Sequence, residues 1–427
     1  MRRVVVTGMG LLTSAGKDVR ENWQNIIAGV SGISHIESFD TTNSSVKIAG
    51  EIKEPQHSKN EANFSINLED FIDPKEIKKM DKFMAYSLMA AEEALTQANW
   101  KPTDENDRIR TGTIIGSGIG GIDTIERNTK KMVAKSPKFV SPFFVPSSII
   151  NLASGYVSMK YGFNGPNCAV TTACATGGHA IYHASHIIKA GDADIMVVGG
   201  AESCICELAV AGFANAKALS KSFSDEPRKA SRPWDKARDG FVMGEGAGVL
   251  VLEEYEHAKK RGANIICELY GGGASGDAHH ITAPHPEGLG AKLAMKMAIK
   301  NSGISAKDIG YINAHGTSTP LGDMAEINAV REVIGIEQSK IIMSSTKSAI
   351  GHCLGAAGAI EAIYSIMALN TGDIPPTLNL EEVEDGTEDF DLMPLKSRNI
   401  GEIKAVLSNS FGFGGTNSSV VFGKVRS

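Results

Sequence analysis

An α/β fold assembled from two similar halves is what the sequence predicts, on three observations. Short β-branched runs ending in glycine recur along the chain, helical stretches lie between them, and the second half repeats the order of the first. Apolar runs of this length bounded by glycine are the pattern of buried strands. Strands alternating with helices place buried sheets under helical layers.

The elements follow in order. VVVTGMG (4–10) opens the chain as a strand, and 51–72, polar and charged, reads as a surface insertion. KFMAYSLMAAEEALTQA (82–98) has helical periodicity, and GTIIGSGIGG (112–121) is a strand running into a glycine-rich loop. The stretch 169–203 then gives a short polar segment, a small-residue helix and the strand IMVVGGAES (195–203). KSFSDEPRKASRPWDKARDG (221–240) is loop-like, with two prolines and dense mixed charge, and GVLVLE (248–253) returns to strand. The second half repeats this order, with a helix at 288–303, a strand and loop IGYINAHGTST (309–319) and the small-residue helical stretch 341–374. SSVVFG (418–423) closes the chain as a strand. Small residues at a helix start let that helix pack deep against a sheet. The expected halves are 1–263 and 264–427.

Composition narrows the function. The 427 residues carry 43 basic and 49 acidic side chains, a net charge of −6, which gives no global reason to expect nucleic-acid binding. No apolar run approaches the ~18 residues of a membrane span. The start, MRRVVVTGMG, lacks the apolar region and cleavage site of a signal peptide, so a cytoplasmic setting is expected. Glycine, 46 residues, is well above the average of about 7 % and is clustered, as tight turns and close backbone approaches require. The six cysteines (168, 174, 204, 206, 267 and 353) include no CxxC pair and are too scattered for a disulfide scaffold. In a reducing setting a functional cysteine is a nucleophile.

Cys174, in TTACATGG (171–178), stands directly before a helical pattern, where unpaired N–H groups and the helix dipole lower a thiol's pKa. Its small neighbours leave room for a substrate. A packed structural cysteine is the other reading of this position, and the one expected for the remaining five. His315 follows a β-like run and opens HGTSTPLGD (315–323), while His352 follows Lys347 beside another glycine-rich helix. Singly each histidine reads as structural, but with Cys174 they form the cysteine–histidine set of thiol catalysis. His179, His183 and His186 are spaced as one helix face. Without the intervening Glu of HExxH or a fourth ligand they read as packing, and no metal is expected. His279, His280 and His285 do not define a site by spacing. GSGIGG (116–121) is neither GxGxxG nor a P-loop.

Four segments, in this order and across nearly the whole chain, resemble the β-ketoacyl-[acyl-carrier-protein] synthases: TTACATGGHAI, NAHGTSTPLGD, STKSAIGHCLGAAG and SNSFGFGGTN. The order Cys, His, His is similar to that of the elongating synthases, not of the initiating synthase III or the thiolases, and among them most similar to synthase II. Synthase I and polyketide ketosynthases share the motifs and are the alternatives. A non-catalytic partner subunit would lack the cysteine, and a cysteine hydrolase would use water as acceptor.

The resemblance implies a thiolase-like fold, with duplicated halves in five α/β/α/β/α layers and a homodimer. It implies 3-oxoacyl synthase activity by decarboxylative Claisen condensation, no tightly bound cofactor, and the acyl carrier protein as partner. Residue by residue, Cys174 matches the nucleophile. His315 and His352 match neutral donors to the malonyl thioester oxygen, and Lys347, paired with Glu361, an electrostatic organiser. Phe413 matches the gate, whose N–H completes an oxyanion hole with that of Cys174; Phe411 lies in the same motif. Thr317 and Thr319 match residues that bond the pantetheine arm, Ile119 and Phe213 the acyl pocket, and Lys75, Lys78 and Lys79 the carrier-docking patch.

Overall fold

The computed structural model describes residues 2–55, 65–335 and 341–426. Among the described residues, the first half contributes five strands to the main sheet: β1 (Val4–Thr13), β2 (Thr111–Gly116), β3 (Asn167–Cys168), β4 (Ile195–Glu202) and β5 (Gly246–Glu254). The second contributes β6 (Cys267–Gly276), β7 (Ile309–Asn313), β8 (Ile341–Ser344), β9 (Ala405–Gly412) and β10 (Thr416–Gly423). Their spatial order is β1-β5-β4-β2-β3 in one half and β6-β10-β9-β7-β8 in the other. The directions repeat as well: the first two pairings of each set are antiparallel and the last two parallel. Identical order and direction establish the duplication that the sequence pattern only hinted at. The sets join where Val4–Val6 of β1 pairs with Cys267–Leu269 of β6. With Phe390–Asp391 at one edge, the described residues form a continuous eleven-stranded sheet.

Three helix pairs cover this frame. Helices α1 (Lys82–Gln97) and α2 (Leu152–Tyr161) lie on the outer face of the first set, and α4 (Leu289–Ser302) and α5 (Pro320–Ile334) on that of the second. Between the two sets run α3 (Thr176–Ala190) and α6 (Ala357–Thr371), packed on each other and on both sheets. This gives five layers. The central helices meet backbone to backbone: a Cβ on Gly177 would stand 2.5 Å from the Ala359 nitrogen, and one on Gly358 2.6 Å from that of Gly178. The small residues at both helix starts are therefore a packing requirement.

Several elements depart from expectation. β6 does not stand out in CELYGGGASG because its glycines read as a loop. They are there because α4 lies on the strand: a Cβ on Gly273 would meet the Ala294 carbonyl at 2.1 Å. The 51–72 segment is not simply surface. Glu51, Ile52, Lys53, Ile66 and Leu68 are buried, and the Lys53 ammonium donates to Glu51 Oε2 and the His35 carbonyl, each at 2.6 Å. The part of that insertion at 56–64 lies outside the described residues. Within SNSFGFGGTN, Phe411 and Gly412 end β9, and 413–415 form the turn into β10.

Candidate active site

The two central helices bring the chemical residues together. The chain leaves β3, turns sharply at Ala173 with a left-handed φ of 50°, and presents Cys174 two residues before α3. A non-glycine residue there costs about 1–2 kcal/mol, so the turn must be held from outside. Thr176 Oγ1 accepts from the Thr172 N–H at 2.8 Å and donates to the Ala173 carbonyl at 2.8 Å. From β10, Thr416 Oγ1 donates to the Thr172 carbonyl at 2.9 Å. Beside it Gly412 comes so near that a Cβ would stand 2.8 Å from the same carbonyl and 3.1 Å from the Cys174 nitrogen. The N–H groups of Phe413 and of Cys174 itself are directed at the thiol.

His315 stands just past the end of β7, and Glu326 of α5 holds its backbone. The His315 and Gly316 N–H groups donate to the two carboxylate oxygens at 2.9 and 2.8 Å, and Asn409 of β9 adds a third bond at 3.1 Å. His352 is fixed by its N–H to the Val242 carbonyl at 2.7 Å and by the Phe241 ring at 5.4 Å. The two imidazoles lie 5.3 Å apart at 84°, edge to face. His315 Nδ1 and both ring nitrogens of His352 are buried without a hydrogen-bond partner, so they are free to meet a ligand. Lys347, 1 % exposed, forms a buried ion pair with Glu361. Burial, then the Lys347 charge, hold both histidines well below 6.5, so they are neutral at physiological pH.

Cys174, His315 and His352 line one cavity of about 340 Å³, which Phe213, Thr317, Thr319, Phe411 and Phe413 also line. The Thr317 and Thr319 hydroxyls are bonded to each other at 2.9 Å. Ile119 is not in that lining but packs on the apolar cluster that contains Cys174. Glu361 lies behind the cavity with Lys347. Lys75, Lys78 and Lys79 lie on and just after the short helix Pro74–Ile77, away from the cavity lining, and Lys79 pairs with Glu76 at 2.5 Å. His179 is engaged by the Thr172 hydroxyl at 2.8 Å, as a packed helix face predicts.

One expectation is corrected. Burial pushes the Cys174 thiol up to about 12, against the Lys347 charge and the two N–H groups that pull it down. Desolvation therefore outweighs the helix start, and the resting group is a thiol that ionises as it attacks. Sequence reasoning also passed over Glu326 and Asp323. Asp323 receives the N–H groups of Ser318, Thr319 and Trp234 and so shapes the loop after His315. The signal was thin: an acid in the first turn of a helix that opens with proline.

The family of the β-ketoacyl synthase N-terminal domain matches residues 1–258, and that of the C-terminal domain residues 266–381. The chain is 50 % identical over 425 residues to the 3-oxoacyl-[acyl-carrier-protein] synthase 2 of Vibrio harveyi, covering 99 % of each chain. It is 47 % identical over 440 residues to the mitochondrial 3-oxoacyl-[acyl-carrier-protein] synthase of Arabidopsis thaliana, covering 99 % of this chain and 94 % of that one. Among solved structures, a β-ketoacyl synthase from Burkholderia phymatum superposes over the whole of both chains with a TM-score of 0.89 at 34 % identity. A ketosynthase solved in complex with its type II PKS acyl-carrier protein does so with a TM-score of 0.88 at 32 % identity. With its duplicated sheets, its cysteine and two histidines on one cavity, and both family domains matched in order, this chain belongs to the β-ketoacyl synthase family.

Proposed function

We propose that the protein is a 3-oxoacyl-[acyl-carrier-protein] synthase of the synthase II type, which lengthens an acyl chain by two carbons. The observation that carries this reading is the convergence of a thiol and two neutral imidazoles on one cavity. Cys174 Sγ attacks an acyl thioester on the carrier protein; the carrier's thiol leaves with the proton and the chain stays on Cys174. Malonyl carrier protein follows, and its C–CO₂ bond breaks to release CO₂. His315 and His352 donate to the thioester oxygen that gains the charge. The carbanion attacks the acyl-enzyme carbonyl, the N–H groups of Cys174 and Phe413 hold the oxyanion, and the Cys174–acyl bond breaks: the 3-oxoacyl chain leaves on the carrier, and the Cys174 thiolate takes up a proton from solvent. The reaction uses no resident cofactor or metal. The polyketide alternative is not favoured, given 50 % identity to a fatty-acid-type synthase against 32 % to the polyketide ketosynthase.

Incubation with acyl and malonyl carrier proteins, read by product mass, tests this. A 3-oxoacyl chain two carbons longer is expected; free fatty acid alone would indicate a hydrolase.

Phe413, 37 % exposed, lies at the tip of the β9–β10 turn, 6.5 Å from the Phe213 ring. Gly414 and Gly415 follow at φ of 82° and 70°. The turn is latched to a neighbouring loop: the Gly414 N–H donates to the Ile281 carbonyl at 2.8 Å and Asn417 to Asp277 at 2.8 Å. As the gate, Phe413 blocks the acyl side until Cys174 is loaded. Phe413→Ala keeps the backbone donor, so turnover should persist while selectivity among acyl chains blurs. Competition between two acyl donors reads this, and unchanged selectivity would remove the gate.

Lys75 and Lys78, exposed, with Lys79 make up the patch that meets the acidic carrier. Reversing Lys75 and Lys78 to Glu should raise the KM for acyl carrier protein several-fold at low salt. That difference should shrink as exposed charges are screened over ~8–10 Å. A short acyl-pantetheine thioester should react as before; equal losses with both donors would place the effect in the pocket.

The homodimer and cytoplasmic setting belong to the same proposal. Val133 (79 % exposed), Val145 (60 %) and Met159 (65 %) are large apolar side chains left open on the first half. Light scattering should give twice the chain mass. Among the described residues no helix is long and apolar enough to cross a membrane.

A further inference from the structure

The loop GSGIGG (116–121) has a cradle of donors but no room for a foreign anion, because one of the protein's own carboxylates fills it. Glu202, at the end of β4, is fully buried and accepts four hydrogen bonds. Its Oε1 receives the Ser117 hydroxyl at 2.6 Å and the Ile119 N–H at 3.2 Å. Its Oε2 receives the Gly118 N–H at 2.7 Å and the Gly355 N–H at 2.9 Å. Successive N–H groups converging on an anion form a nest. Here the nest spans both halves of the chain, since Gly355 lies three residues after His352.

We infer that Glu202 is a positioning residue that ties the loop carrying Ile119 to the turn following His352, and so sets the width of the acyl side of the pocket. The inference rests on the proposed condensing activity. Two observations carry it beyond structural support. First, the two segments touch with no side chain between them: a Cβ on Gly355 would lie 2.1 Å from the Gly118 nitrogen and 2.8 Å from Glu202 Oε2. Leu354 beside it is held at a left-handed φ of 43°. Secondly, the groups so placed are reactive-side groups. Ile119 and Leu354 both pack in the apolar cluster around Cys174, and Leu354 lines the cavity. All four partners are donors, so the clamp works as a carboxylate. Its charge lies close enough to Cys174 to oppose ionisation of the thiol.

The test compares wild type, Glu202→Gln and Ser117→Ala by two readouts. One is acylation of Cys174 by a long-chain and a short-chain acyl-pantetheine thioester, as the ratio of kcat/KM. The other is the pH dependence of Cys174 alkylation by iodoacetamide. A glutamine presents an NH₂ where the Ile119 N–H needs an acceptor, so the long-to-short ratio should fall about tenfold, the equivalent of one lost charged hydrogen bond. The alkylation profile should move to lower pH, because the opposing charge is gone. Ser117→Ala keeps the charge and removes one donor, so its ratio should fall by less and its alkylation profile should not move. Should Glu202→Gln fail to fold, Ser117→Ala alone decides: a lowered ratio supports the clamp and an unchanged one overturns it. Folded variants with wild-type ratios would likewise overturn it, leaving Glu202 as internal support only. Absence of Cys174 acylation in wild type would overturn the condensing reading instead, and a Glu202→Gln alkylation profile that matches wild type would then overturn the assignment of Glu202.

Discussion

Cys174→Ala should yield a folded protein that forms no acyl-enzyme and no 3-oxoacyl product. Among the described residues Cys174 is the one thiol lining the cavity, and its replacement removes a single heavy atom while the Thr172, Thr176 and Thr416 bonds that hold the turn stay in place. The melting temperature should barely change, because burial of one such atom is worth about 0.8 kcal/mol. Elongation should fall by about 10⁶-fold, as when other catalytic nucleophiles are deleted. Decarboxylation of malonyl carrier protein should continue, because His315 and His352 remain. Intact-mass analysis of the mixed proteins reads the first outcome and CO₂ release the second. An acyl adduct on the variant would mean that another residue is the nucleophile.

His352→Ala should slow condensation by about 10²–10³-fold while leaving acylation of Cys174 nearly intact, the usual loss for one donor to a developing negative charge. Both ring nitrogens of His352 await a partner, and Phe241 and the Val242 carbonyl fix where they point. His315→Ala should behave alike. The sign of the pH dependence follows from burial. Each histidine is held well below 6.5, so each stays neutral as pH falls through 6.5 and gains its proton only in more acidic solution. Condensation should therefore be level across pH 6.5. Single-turnover assays with preloaded acyl-enzyme separate the steps, and failure of both variants at acylation would show that the histidines activate the thiol instead.

Much of this site could be read from the sequence, and the reason is physical. Glycines around Cys174 and His352 mark the places where two helices and two sheets approach backbone to backbone, and such positions tolerate few substitutes. The strands β1, β4 and β5 carry apolar residues on both faces because both faces are buried, as does the Val420–Phe422 end of β10. β6 escaped notice because its glycines serve the helix above it, so the strand carries little side-chain pattern of its own. The thiol's raised pKa was also hidden: a helix start is visible in sequence, but the desolvation that opposes it depends on residues from both halves. Glu202 and Glu326 were invisible for the same reason. A lone acid reads as surface until the fold supplies its donors.

The division of the site between the halves also sets an order in time. While the chain is being made, Cys174 exists before Lys347, His315, His352 and the Phe413 turn have been polymerised. The thiol is then an ordinary cysteine, with no cavity and no donors around it. The first half must wait with the β1 edge unpaired and the glycine face of α3 bare, the kind of surface through which nascent chains aggregate. When β6 zips onto Val4–Val6 and α6 docks on α3, edge and glycine face are covered. That same docking sets the two imidazoles beside the sulfur. Contacts spanning more than 260 residues close slowly. Catalytic competence should therefore be the last property the molecule acquires: a half-made chain carries an ordinary cysteine and none of the groups that would turn it to condensation.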